Sequence, residues 1–79
     1  MKEEERIKKD IVMFEENKKK IQQERLTTEQ KLVVDLAERY YQDAQYYIKK
    51  NDYFTAFGCI NYAHGLLDAI IKITGSMLE

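Results

Sequence analysis

The chain has no proline and no tryptophan, a single cysteine, and glycine only at Gly58, Gly65 and Gly75. Each shortage excludes something. Without proline, and with no glycine before Gly58, nothing in most of the chain is built to break a helix. One cysteine, Cys59, cannot form an internal disulfide, and a lone thiol suits a reducing compartment. No run approaches the roughly 18 consecutive apolar residues of a membrane span. The opening MKEEERIKKD lacks the apolar core of a signal peptide. The expectation is a cytoplasmic protein without membrane attachment. A net charge of −1 sets up no global field for DNA or acidic lipid.

What is present points to helix. Residues 1–26 hold 8 basic and 7 acidic side chains, while residues 27–79 hold 5 and 7 in twice the length. The chain therefore reads as one domain, 1–79, with a charged N-terminal helix (1–26) followed by a more apolar helical hairpin (27–79). A chain of 79 residues buries only roughly 60% of its unfolded surface, so it needs a regular core or a partner chain.

The first helix is expected over 2–25. Ile7, Ile11, Phe14 and Ile21 make a seam spaced near 3.5 residues, interrupted where Lys18 takes the expected position. Glu4 with Lys8, Glu5 with Lys9, Glu15 with Lys19 and Glu16 with Lys20 place acid four residues before base, which supports a helix by roughly 0.2–0.5 kcal/mol per pair. Thr27 with Gln30 reads as a capping box that starts a second helix over 28–50. Its stripe is Val33, Ala37, Tyr40, Ala44 and Tyr47, widened by Leu36 and Ile48. Asn51 tolerates the left-handed conformation that ends a helix, and Asp52 is a strong N-cap for the next. The third helix follows over 53–74, with Gly75 as its stop. A two-residue link between helices of matched length makes an antiparallel αα-hairpin. The fold class is all-α, a three-helix unit built on that hairpin.

Ala56, Ile60, Ala63, Leu67 and Ile70 form the central stripe of the third helix. Phe57, His64 and Ile71 flank it on one side, and Cys59, Leu66 and Ile73 on the other. This arc is wider than one neighbouring helix covers. It predicts a further surface against the third helix, either the first helix or a second copy of the chain. A homo-oligomer, most simply a dimer, is expected, with the third or first helix at the interface.

From Tyr40 to Ile70 the chain reads YYQDAQYYIKKNDYFTAFGCINYAHGLLDAI. The pairs Tyr40-Tyr41 and Tyr46-Tyr47 around Asp43 and Ala44, then Tyr62, Ala63, Gly65, Leu66, Leu67, Asp68 and Ala69, carry a resemblance. They are similar to the archaeal family known as domain of unknown function 357, with its YYxDAxYY helix, short polar turn and YAxGLLDA helix. The resemblance implies an archaeal, cytoplasmic, helical protein and implies no activity. The hairpin is also similar to HEPN helical domains, some of which cleave RNA with an Arg shortly before a His on one helix. Upstream of His64 stand Phe57, Gly58 and Cys59, so that motif is missing here.

No arrangement in the chain supports catalysis. His64 and Asp68 share a helical face with Asn61, but two candidate ligands are too few for a metal, and a hydrogen-bonded structural trio is expected instead. Cys59 and His64 are turned roughly 140° apart on one helix, so the thiol has no base beside it. Burial as a structural thiol is the ordinary role of such a cysteine. There is no phosphate-cradling glycine loop and little room for a cleft. Catalytic, cofactor-binding and metal-binding residues are accordingly expected to be none. Six tyrosines could stack on RNA bases, but residues 27–79 are net acidic. Tyrosines with rings inside a bundle and hydroxyls in water are expected instead.

One stripe stands apart. Gly58, Asn61, Gly65, Asp68 and Lys72 follow 3-4-3-4 spacing along the third helix, bordered by Tyr62 and Ala69. Two glycines inside a helix each cost roughly 0.5–1 kcal/mol relative to alanine, and the usual reason is close approach of another backbone. Packing of the first helix in this groove is the expected explanation, and an open interaction face is the alternative. The functional expectation is a non-enzymatic protein-interaction or homo-oligomerising module, with a weak RNA- or nucleotide-binding domain as the alternative.

Overall fold

The local chemistry of the caps sets the element boundaries. In the computed structural model, which describes residues 2–75, α1 spans Lys2–Lys19, a 3₁₀ turn covers Gln23–Arg25, α2 spans Thr28–Lys49 and α3 spans Tyr53–Thr74. Met1 and residues 76–79 of the expected 1–79 unit lie outside the described residues. The architecture is all-α: three helices, with α2 and α3 as an antiparallel hairpin and α1 laid against both.

Thr27 forms the expected capping box. Its side chain accepts from the Gln30 amide at 3.1 Å, and the Gln30 side chain accepts from the Thr27 amide at 2.9 Å. At the other end of α2, Asn51 turns left-handed with φ 61°. Its amide donates to the Ile48 carbonyl and the Asp52 amide donates to the Tyr47 carbonyl, both at 2.9 Å. These two bonds make a Schellman closure, which satisfies carbonyls that the helix end would otherwise leave bare. Asp52 then accepts from the Thr55 amide at 3.2 Å and starts α3. Gly75, at φ 58°, ends it.

The core is the expected stripe of α3, with Ala56, Ile60, Ala63, Leu67 and Ile70 all buried. Ala37, Ala44 and Val34 of α2 and Ile7, Ile11 and Phe14 of α1 close over it. Each fully buried large apolar side chain contributes on the order of 1.5–3 kcal/mol. Ile21 and Leu26 are also buried and seat the link between α1 and α2.

Three expectations are corrected. The first helix does not reach Arg25 but ends at Lys19, closed by bonds from the Lys20 amide to Asn17 and from the Ile21 amide to Lys18. On a straight continuation Leu26 would point about 120° from Phe14, off the seam. Ending the helix early lets Leu26 bury together with Ile21, and Lys18 pairs with Glu38, 2.8 Å away. Val34, which the expected stripe of α2 left out, is buried, while Val33 packs only partly against the core; α1 meets α2 on the Val34 side of the stripe, where Phe14 stacks on Tyr41. Of the four expected acid–base pairs on α1, Glu4–Lys8 forms at 2.8 Å. Among the described residues the other three do not pair, and Glu15 instead accepts from the Tyr41 hydroxyl.

Candidate interaction face

Position along α3 decides which of its side chains meet solvent. α2 packs along one flank of its buried stripe. α1 runs along the other, where His64 Nε2 lies 2.8 Å from the Asp10 carbonyl and the Tyr53 hydroxyl donates to Glu4 at 2.9 Å. Two neighbours cover about half of the helix circumference. The remaining arc holds the whole stripe singled out by spacing: Gly58, Asn61, Tyr62, Gly65, Asp68, Ala69 and Lys72 are all exposed.

This overturns the expectation that α1 fills the glycine seam. A Cβ placed on Gly58 or on Gly65 would meet nothing within 4 Å. The physical reason lies in α1's own seam. Ile7, Ile11 and Phe14 are buried on the His64 side of α3, where Phe14 meets both His64 and Tyr41 and His64 holds the Asp10 backbone. The expected trio of Asn61, His64 and Asp68 does not form either, since His64 turns to α1 while Asn61 and Asp68 face water. Neither Asp68 nor Lys72 has an ion-pair partner among the described residues.

The exposed arc is more apolar than the stripe alone suggested. Phe54 is 90% exposed, Ile73 73%, Tyr62 52% and Phe57 43%. Half of the large apolar side chains exposed among the described residues therefore lie on this one helix. Sequence reasoning missed Phe54. Continuing the 4-3 spacing one step back from Gly58 lands on it. Ile73 was expected as a flank of the core and instead stands exposed in the last turn of α3. Tyr62 is held upright by an edge contact with Tyr40, ring centroids 4.6 Å apart. Phe54 and Phe57 line a shallow pocket of about 340 Å³ with Glu3, Arg6, Ile7 and Tyr53, between the starts of α1 and α3.

The helix has the length and composition of a membrane span, with mean hydropathy 1.2, yet only 28% of that stretch is buried. Ten of the 22 residues of α3 are exposed, Phe54, Phe57, Tyr62 and Ile73 among them, and exposed apolar area of this kind marks interaction surfaces.

Of the other tyrosines, Tyr40, Tyr41, Tyr47 and Tyr53 pack partly buried against the core, and Tyr46 is exposed. Tyr41 stacks on Phe14 and donates to Glu15, and burial, reinforced by Glu15 and Glu38, pushes its hydroxyl up to about 12. Cys59 is half-buried rather than fully enclosed. Burial, with Asp43 and Asp52 nearby, raises its thiol, which makes it a poor nucleophile at neutral pH. Among the described residues no three His, Cys, Asp or Glu side chains converge on a common point.

Residues 9–75 match the model of a family described as protein of unknown function (DUF357). That span takes in most of α1 and all of the hairpin. No curated protein matches the chain.

Proposed function

The chain belongs to the DUF357 family, proteins of unknown function, and on that footing we propose that it is a non-enzymatic interaction module that associates with itself through the outer face of α3. The observation that carries this reading is Phe54, an aromatic side chain 90% exposed at the head of an arc that continues through Phe57, Tyr62 and Ile73. Aromatic residues are enriched at the buried centres of protein interfaces, and a face made of them is costly to leave in water. Small chains also gain stability by association. In this reading the protein works in the cytoplasm, without a membrane, a metal or a cofactor.

The RNA-binding alternative has less support. The outer face of α3 offers one cation, Lys72, against the carboxylate of Asp68. Single-strand platforms need several cations interleaved with their rings.

Sedimentation at micromolar concentration tests the reading. The wild-type chain is expected to associate in a concentration-dependent way. The Phe54→Asp protein is expected to sediment as a monomer with unchanged helix content, because this side chain is 90% exposed and adds little to the core. A wild-type chain that stays monomeric throughout overturns the proposal.

A further inference from the structure

The outer row of α3 also carries information on the geometry of such an assembly. Phe54, Gly58, Asn61, Gly65, Asp68 and Lys72 follow one another at intervals of 4, 3, 4, 3 and 4. That 3.5-residue spacing keeps the row in line along one face of the helix, where a second helix can lie, with Phe54 as its large apolar member. Phe54, Asn61 and Asp68 hold one of the two core positions of the repeat, and Gly58, Gly65 and Lys72 the other. Every member of the row is exposed.

Two copies can pair along this row in two directions, and the side chains discriminate between them. In a parallel pair each residue meets its own copy. Asp68 would face Asp68 and Lys72 would face Lys72, two like-charge layers in succession. Gly58 and Gly65 would face themselves and leave holes. In an antiparallel pair the first position of one helix meets the second position of the other. Asn61 then faces the partner's Gly65, and Asp68 faces the partner's Gly58. Phe54 faces the partner's Lys72, with the ammonium over the ring and the lysine stem along it. Each larger polar side chain enters a glycine hole, like charges separate, and the two helix dipoles oppose.

We infer that the occupant of this face is a second copy of the chain, with the two α3 helices antiparallel about a two-fold axis near residue 63. The inference rests on the self-association proposed above and adds its direction and register. Tyr62 and Ile73 lie on the α2 side of the row. The two-fold brings that side of one protomer beside the same side of its partner, so Tyr62, one residue from the axis, comes beside its own copy. The glycines supply what the geometry needs, since a Cβ at Gly58 or Gly65 would meet nothing within 4 Å.

Disulfide trapping at position pairs tests the register. Gly58→Cys and Asp68→Cys are made separately, each with Cys59→Ser so that the native thiol does not interfere. Both sites are exposed, and both proteins are expected to keep the wild-type helix content. In the antiparallel pair, position 58 meets position 68 of the partner, while each position lies about 15 Å along the axis from its own copy, ten residues at 1.5 Å each. The expected result is a linked dimer when the two proteins are mixed and oxidised, and none from either protein alone. Linkage of each protein to itself means a parallel pair; it overturns this inference and leaves self-association through α3 intact. Sedimentation as a dimer with no linkage in any sample places the interface elsewhere and overturns the inference. A monomer with no linkage overturns both the inference and the reading beneath it.

Discussion

Phe14 and Tyr41 stack with their ring centroids 5.0 Å apart and their planes within 17° of parallel. This contact joins α1 to the hairpin, and His64 closes it from the third side with an edge contact to Phe14 at 5.8 Å. Phe14 is fully buried, so Phe14→Ala should destabilise the protein by about 3–5 kcal/mol. That is comparable with the total stability of a small domain, roughly 5 kcal/mol at the low end. Chemical denaturation followed by circular dichroism is expected to find the variant largely unfolded at 25 °C. A loss below 1 kcal/mol would mean that α1 is not part of the core.

Tyr41 gives the fold an alkaline limit. Its hydroxyl is raised from 10 to about 12, first by burial and then by Glu15 and Glu38. A group raised on folding contributes stability that is fully present below its unfolded pKa and lost as pH climbs through the folded one. The expected window of loss is therefore pH 10 to about 12. Lys8, Tyr53 and Cys59 are raised too, so the wild-type decline has several parts. Tyr41→Phe should lower the neutral-pH stability and make the decline above pH 10 shallower. Thermal midpoints of both proteins across that range decide it, and parallel curves would contradict the assignment.

The glycines should behave oppositely to buried ones. Because a Cβ at Gly58 or Gly65 meets nothing within 4 Å, Gly58→Ala and Gly65→Ala should each stabilise the isolated chain by about 0.5–1 kcal/mol through helix propensity alone. Gly65→Leu should fold as well and lose self-association. Unfolding of the leucine variant would show that the groove is filled from within the chain.

The hairpin turn depends on one left-handed residue. Asn51→Gly should be neutral or mildly stabilising, because glycine adopts φ near 61° without strain. Asn51→Val should cost about 1–2 kcal/mol, since a side chain raises the energy of that conformation and a branched one is least tolerated there. Urea titrations of the two variants separate these outcomes.

Much of the fold was legible because its signals are local. The Thr27–Gln30 capping box, the Asn51-Asp52 turn and the Gly75 stop each act within four residues, and the structure has all three. The buried stripe of α3 was legible for a related reason. A helix of 22 residues shows its periodicity however it is packed, and Ala56 to Ile70 form the stripe that spacing picked out. The end of α1 was not legible. Nothing between Lys19 and Arg25 breaks a helix by propensity, and the chain turns there because Leu26, about 120° from Phe14 on a continued helix, finds the core only if it does.

The sequence by itself determined which residues share a face: the row from Gly58 to Lys72 is a consequence of helical spacing and needs no neighbour to define it. Only the tertiary structure decided that this row faces solvent. Helix spacing says nothing about where a third helix docks around the circumference. That choice went to the edge where Ile7, Ile11 and Phe14 bury against the hairpin and His64 meets the Asp10 carbonyl. The same choice buried Val34 of α2 and left Phe54 and Ile73 in water. Packing is a competition among faces, decided by the total apolar area enclosed, and no single helix carries that quantity in its own sequence.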